Sequence, residues 1–170
     1  MQIFTLGYQS LAPELYVKAL VDAGVKLVID VRENPWSQRS GYVGAILKRT
    51  LASVDIDYEH WRALGNPAAN RNTATTAAQC LRRYRTYLRQ DGRIITLFVN
   101  KLTEEWNRDR KVCLTCFEHE HSNCHRSVIV DEIRAIDREI ISIHLTPERA
   151  PRKQKPRQRS QPLFAPPSFP

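Results

Sequence analysis

VKLVIDV, residues 25–31, decides the fold. Its β-branched residues and nearly unbroken apolar character are those of a strand covered on both faces, the pattern of a parallel sheet. Upstream, Gln2 to Leu6 is a short apolar run ending at Gly7, and reads as a strand. Ser10 then precedes Leu11, Leu15, Ala19 and Leu20 at helical spacing as far as Gly24. Downstream, RENPWSQRSGY (32–42) is a loop, 43–54 suits a helix, and 56–60 a strand. LGNPAANRNT (64–73) reads as a second loop, and 75–90 as a helix.

Residues 91–107 offer two readings, because RIITLFV alone could be a strand. Periodicity decides for a helix: Ile95, Phe98, Val99, Leu102 and Trp106 share one helical face. KVCLTC (111–116) is then a strand and FEHEHSNC (117–124) a polar loop. Residues 126–137 form a helix with Val128, Ile129, Ile133 and Ile136 inward, and 140–145 a last strand. Strands alternating with helices predict a single three-layer α/β domain over residues 1–146. It has a mostly parallel sheet of about five strands, with helices on both faces and right-handed crossovers.

With 42% hydrophobic residues in a 170-residue chain, one core is expected. No apolar run reaches membrane-spanning length and the N-terminus lacks a signal-like pattern, so a cytoplasmic protein without membrane contact is expected. Four cysteines, three of them between 113 and 124, do not make a disulfide framework in a chain this long. The formal charge of +8 is concentrated at one end. Residues 147–170 carry six cations (Arg149, Arg152, Lys153, Lys155, Arg157, Arg159) against Glu148 alone, and seven of the ten prolines. That composition predicts a disordered basic tail.

In open α/β sheets, ligands bind outside the carboxyl ends of the strands. The chemically capable residues collect there. Thr5, Gly7 and Tyr8 follow the first strand, and Asp30 and Arg32 close the second. His60 closes the third, and Cys116, Glu118, Cys124, His125, Arg126 and Ser127 follow the fourth. Asp30, ending a buried strand, is either paired with Arg32 or held for catalysis in a cleft. Cys124-His125-Arg126-Ser127 stands where a helix begins, a place suited to an anion and to a thiolate. Cys113-Leu-Thr-Cys116 with Cys124-His125 resembles zinc spacing, but Cys113 and Cys116 in one strand point to opposite faces. No metal and no other cofactor is therefore expected. Cys80, inside a helix, reads as a packing residue.

Four ordered motifs also carry a family resemblance. TLGY (5–8), IDVRENPWS (29–37), LGNP (64–67) and Cys116-Phe-Glu118 with Cys124-His125-Arg126-Ser127 resemble the family catalogued as domain of unknown function 488, from Thr5 to Leu145. The resemblance implies a compact α/β domain with no established reaction. It marks Gly7, Asp30, Arg32, Pro35, Cys116, Glu118, Cys124, His125 and Arg126. Many members have histidine where Tyr8 stands, and Cys113 and the tail have no counterpart in the pattern.

Three functions of different classes fit these residues. The favoured one is an enzyme acting on a phosphate-bearing substrate, a nucleotide or nucleic acid. There Asp30, Cys116, Glu118, Cys124 and His125 are catalytic, and Gly7, Tyr8, Arg32, Arg126 and Ser127 bind the substrate anion. The alternative is a non-catalytic nucleic-acid or nucleotide-binding module aided by the basic tail. The third is a thiol-based redox or metal protein built on Cys116 and Cys124. The sequence leaves strand order and oligomeric state open.

Overall fold

The structure, a computed structural model, describes residues 1–147. Five strands form a single sheet: β1 (Gln2–Gly7), β2 (Val25–Asp30), β3 (Asp57–His60), β4 (Lys111–Cys116) and β5 (Ile141–His144). All pairings are parallel, and the order is β3-β2-β4-β1-β5. The connecting helices are α1 (Pro13–Asp22), α2 (Gly44–Ala52), α3 (Ala68–Thr73), α4 (Ala77–Gln90), α5 (Arg93–Asn107) and α6 (His125–Ile136). No helix among the described residues is long and apolar enough to cross a membrane.

The alternation of side chains along each strand builds two cores. Ile3, Leu27, Ile29, Val112, Leu114 and Cys116 face Tyr84, Phe98, Leu102 and Ile129, so α4, α5 and α6 cover that side. Phe4, Leu6, Val28 and Cys113 face Tyr16, Leu20, Leu47 and Leu51, so α1 and α2 cover the other. VKLVIDV is thus apolar on both faces because helices lie on both. Cys113 and Cys116 indeed fall on opposite sides.

Local chemistry sets the helix starts. Pro13 opens α1, where the missing N–H has no helical partner to lose. The Thr76 side chain accepts from the Gln79 N–H at 3.1 Å and caps α4. The helical reading of 93–107 holds, with Ile95, Phe98 and Leu102 buried. At its end the inward face turns to Glu105, which is buried and pairs with Arg110 at 2.8 Å and Lys101 at 3.1 Å, while Trp106 is exposed. Ile136, at the last turn of α6, is likewise exposed rather than inward. The loop expected at 64–73 contains α3, a short helix without apolar periodicity. The basic tail expected at 147–170 lies, beyond Pro147, outside the described residues.

Topology selects one place on the sheet. From β1 the chain crosses to β2 and β3 over the α1–α2 side, whereas from β4 it crosses to β5 over the α6 side. The neighbouring strands β1 and β4 therefore send their connections in opposite directions, which leaves a crevice above their carboxyl ends. Gly7 and Cys116 are register partners at that edge. The pairing continues beyond it through Tyr8 N–H to the Cys116 carbonyl at 3.2 Å and Gln9 N–H to the Phe117 carbonyl at 2.8 Å.

Candidate functional site

A cleft of about 800 Å³ occupies this crevice. Tyr8 to Ser10 from the β1 loop and Cys116 to Glu118 from the β4 loop line it, with His125 of α6. The long loop after β2 supplies Arg32 to Asn34 and Trp36 to Arg39, and the segment around α3 adds Asn66 and Arg71. Two side-chain systems meet here, one from each side of the sheet.

The first belongs to the α1–α2 side. Asp30 is fully buried and accepts from Arg32 through Nε at 2.8 Å, from the Arg32 backbone N–H at 3.1 Å, and from Tyr58 Oη at 2.7 Å. Arg32 Nη2 completes the ion pair, and Nη1 donates to Tyr8 Oη at 2.8 Å and the Tyr42 carbonyl at 2.9 Å. Burial opposes the charge on Arg32, but the Asp30 hydrogen bonds and charge outweigh it and raise the guanidinium pKa. Burial and the Asp30 charge push Tyr58 above its ordinary value. Of the two readings of Asp30, pairing with Arg32 describes its contacts, and Asp30 itself does not line the cleft. Arg32 reaches the cleft with most of its donors engaged, which makes it a wall rather than a free clamp for an anion.

The second system belongs to the α4–α6 side and forms the cleft floor. Glu118 Oε2 lies 3.1 Å from both Cys116 Sγ and Cys124 Sγ. His125 Nδ1 lies 3.6 Å from Cys116 Sγ and 4.0 Å from Cys124 Sγ, while its Nε2 donates to the Val31 carbonyl at 2.7 Å. One ligand-capable atom from each of the four residues falls within 4.8 Å of the others. Behind them Arg126, 1% exposed, donates through Nε to Cys124 Sγ at 3.1 Å and through Nη2 to the Glu118 carbonyl. Among the described residues no carboxylate pairs with Arg126.

A buried guanidinium without a carboxylate needs another anion, and the thiol pair supplies it. Burial would raise Cys124, but hydrogen bonds from Cys116 and His125 and the charges of His125 and Arg126 pull it well below the ordinary thiol value. Burial and the neighbouring Cys124 anion push Cys116 up. The shifts run in opposite directions, so of the two sulfurs Cys124 is the one whose surroundings favour the thiolate. Burial and the same anion raise Glu118 toward its protonated form. Burial disfavours imidazolium at His125, but Cys124 outweighs it and the pKa rises. Cys113, across the sheet, is pushed up to about 12 by burial and behaves as a core residue.

Cys124 itself is fully buried, so the groups that face the cleft are Cys116, Glu118 and His125. Gly7 contributes by having no side chain, since the Glu118 carbonyl and the Arg126 guanidinium pack against it. Tyr8 stacks on Tyr42 with ring centroids 4.2 Å apart and lines the cleft. Ser127 donates to the Cys124 carbonyl at 2.8 Å, as a helix-start residue outside the cleft lining. His60 Nε2 is 2.8 Å from the Arg32 carbonyl and fixes that loop from behind. Cys80 accepts from Asn66 Nδ2 at 3.2 Å on the α4 side.

The sequence reading passed over the cleft mouth. Trp36 is 62% exposed and Phe117 44% exposed, and both line the cleft. Each follows a strand terminus within a polar loop, and an aromatic residue in that position is the signal that could have marked them. The rings of His121 and His144 stack with centroids 3.5 Å apart. Burial, the neighbouring His144 and Arg126 push His121 down to about 4, and burial and Arg126 lower His144. Both pKa values are lower in the folded than in the unfolded protein, so the unfolded state binds more protons as pH falls from about 6.5 to about 4. Stability present at neutral pH is therefore lost across that window. Melting temperatures taken from pH 7 to pH 4 should fall less steeply for His121→Gln than for the wild type, and parallel curves would refute the coupling.

The model of the family described as Domain of unknown function DUF488 matches residues 12–133, which take in the β2 loop, the β4 loop and all of the floor cluster. β1 and β5 lie outside the matched span. No curated protein and no solved structure matches this chain. The span matched covers well over half of the sequence, and the chain belongs to the family of domain of unknown function 488.

Proposed function

We propose that this domain is an enzyme acting on a nucleotide or a nucleic-acid end, a phosphate-bearing substrate that seats in the cleft above β1 and β4. The observation that carries the reading is a floor of four mutually close reactive groups beneath a mouth of exposed aromatic rings. Solvent-exposed Trp and Phe at a cleft rim suit the faces of a nucleobase, since stacking on a ring is open to every base. Polar side chains between them, among them Gln9, Asn34 and Ser37, supply hydrogen bonds for the sugar and base edges.

In this reading Glu118 trades protons with the substrate, a role favoured by its raised pKa. His125, fixed by the Val31 carbonyl, and Cys116 face the same bond. Cys124 and Arg126 set the charge of the floor from below. The Asp30–Arg32 pair positions the β2 loop, so its part in the reaction is indirect. A module that binds nucleotide without turnover needs the same mouth and differs only at the floor.

Calorimetry with nucleoside monophosphates and triphosphates tests the mouth. Trp36→Ala and Phe117→Ala should each weaken binding roughly tenfold, in line with about 1–3 kcal/mol for a stacked base. Affinities equal to wild type in both variants would remove the nucleobase from the proposal.

A further inference from the structure

We propose that Cys116, Glu118, Cys124 and His125 form a binding site for one thiophilic divalent metal ion, of which zinc is the type case. The inference goes beyond the proposed reaction: an ion held by all four groups takes up the carboxylate and the thiol which that reading uses, so the filled site is structural and the proposed proton transfer belongs to the metal-free floor.

The donor set comes first. Two thiols, an imidazole and a carboxylate are the ligand types of tetrahedral zinc, and all four ligand atoms lie within 4.8 Å of one another. A tetrahedron with ordinary zinc–sulfur, zinc–nitrogen and zinc–oxygen bonds has S–N and S–O edges of about 3.6 Å. The observed S–N separations are 3.6 and 4.0 Å, and both S–O separations are 3.1 Å. Adjustments of about half an ångström bring every one of these edges to the tetrahedral value.

The surroundings agree with the donors. Nε2 of His125 donates to the Val31 carbonyl, which turns Nδ1 and its lone pair toward the two sulfurs, as the outer hydrogen bond of a metal-bound histidine does. Two thiolates and a carboxylate around a dication leave one negative charge. The buried guanidinium of Arg126, 3.1 Å from Cys124 Sγ and without a carboxylate partner among the described residues, cancels it. The filled site is thus as well balanced in charge as the metal-free one, in which Cys124 alone answers Arg126. Cys116, Glu118 and His125 line the cleft, which gives an ion its route in.

Cys113 played the opposite role in the sequence, where it suggested a Cys-x-x-Cys pair. It points to the α1–α2 side and takes no part. The Glu118 carboxylate takes its place beside Cys116, Cys124 and His125, which the sequence spacing already offered, and no cysteine spacing announces that carboxylate.

The test uses the full chain, purified without chelator and analysed for metal, then stripped and titrated with Co²⁺ and Zn²⁺. About one equivalent of metal per chain is expected. Co²⁺ should produce thiolate charge-transfer absorption and the strong visible bands of a tetrahedral centre, and Zn²⁺ should displace it. Cys124→Ser and Cys116→Ser should lose the charge-transfer intensity stepwise, and Cys113→Ser and Cys80→Ser should keep it. Should a serine variant fail to fold, Glu118→Gln decides: its cobalt spectrum should shift while its circular dichroism stays unchanged. A wild-type chain that binds neither ion, or a cobalt spectrum indifferent to Cys124→Ser or to Glu118→Gln, overturns the site. Metal bound without turnover would leave this inference standing and sink the enzyme reading, whereas turnover by a wild-type chain that binds neither ion would sink this inference and leave the enzyme reading standing.

Discussion

Gly7→Ala is expected to lower the melting temperature by roughly 10 °C, more than any other addition of a single methyl group at the cleft. A Cβ at Gly7 would lie 1.7 Å from the Glu118 carbonyl oxygen and 2.7 Å from Arg126 Nη2. The first of these is backbone and cannot rotate aside. Either β1 or the β4 loop must move, and both are fixed by the Gly7–Cys116 register and by the hydrogen bonds that prolong it to Gln9. Overpacking typically costs about 1–3 kcal/mol, and a backbone clash belongs at or above the top of that range. In a domain of this size each kcal/mol lowers the midpoint by about 2–4 °C.

The same displacement pushes Glu118 away from the two sulfurs, so the floor loses its geometry along with its stability. Gly92→Ala is the control, because a Cβ there meets nothing within 4 Å. It should leave the midpoint nearly unchanged. Equal midpoints for the two variants would mean that the Glu118 segment does not pack on β1 as described.

Much of the architecture was legible because each element declared its period. VKLVIDV could only be buried on both faces, and Ile95, Phe98 and Leu102 fix a helix where RIITLFV alone suggests a strand. Misreadings fall at helix ends, where position i+3 competes with i+4. At 105–106 ion pairing with Arg110 and Lys101 brought the glutamate inward instead of the tryptophan. The α3 helix, AANRNT, has no apolar face to announce it.

The site was legible in part. A parallel sheet gathers strand-end residues at one edge, so Tyr8, Arg32, Cys116, Glu118 and His125 do meet at one cleft. The side of the sheet on which each lies depends on strand parity and on strand order, and order is not written in local sequence. Asp30 consequently belongs to the α1–α2 network with Tyr58, and the thiol cluster to the α4–α6 side. Trp36 and Phe117 escaped notice because exposure is a property of the folded surface rather than of residue type.

The largest functional effect is expected at the floor. Groups that act as one unit give non-additive losses when they are removed singly and together. Glu118→Gln keeps the size of the side chain and removes its titration, and Cys116→Ser keeps a hydroxyl where the thiol stood. Each should lower kcat/KM by about 100-fold or more, the scale of a lost acid–base partner. Binding of nucleotide at the Trp36 and Phe117 mouth should survive both changes, since neither removes a ring on which a base would stack.

The decisive measurement is therefore kcat/KM for hydrolysis or transfer over a panel of nucleotides and short oligonucleotides, for wild type, Glu118→Gln, Cys116→Ser and the double variant. A wild-type activity lost about equally in all three variants is the expected result. Turnover that none of the substitutions alters, or nucleotide binding with no turnover of any panel member, would contradict a catalytic floor.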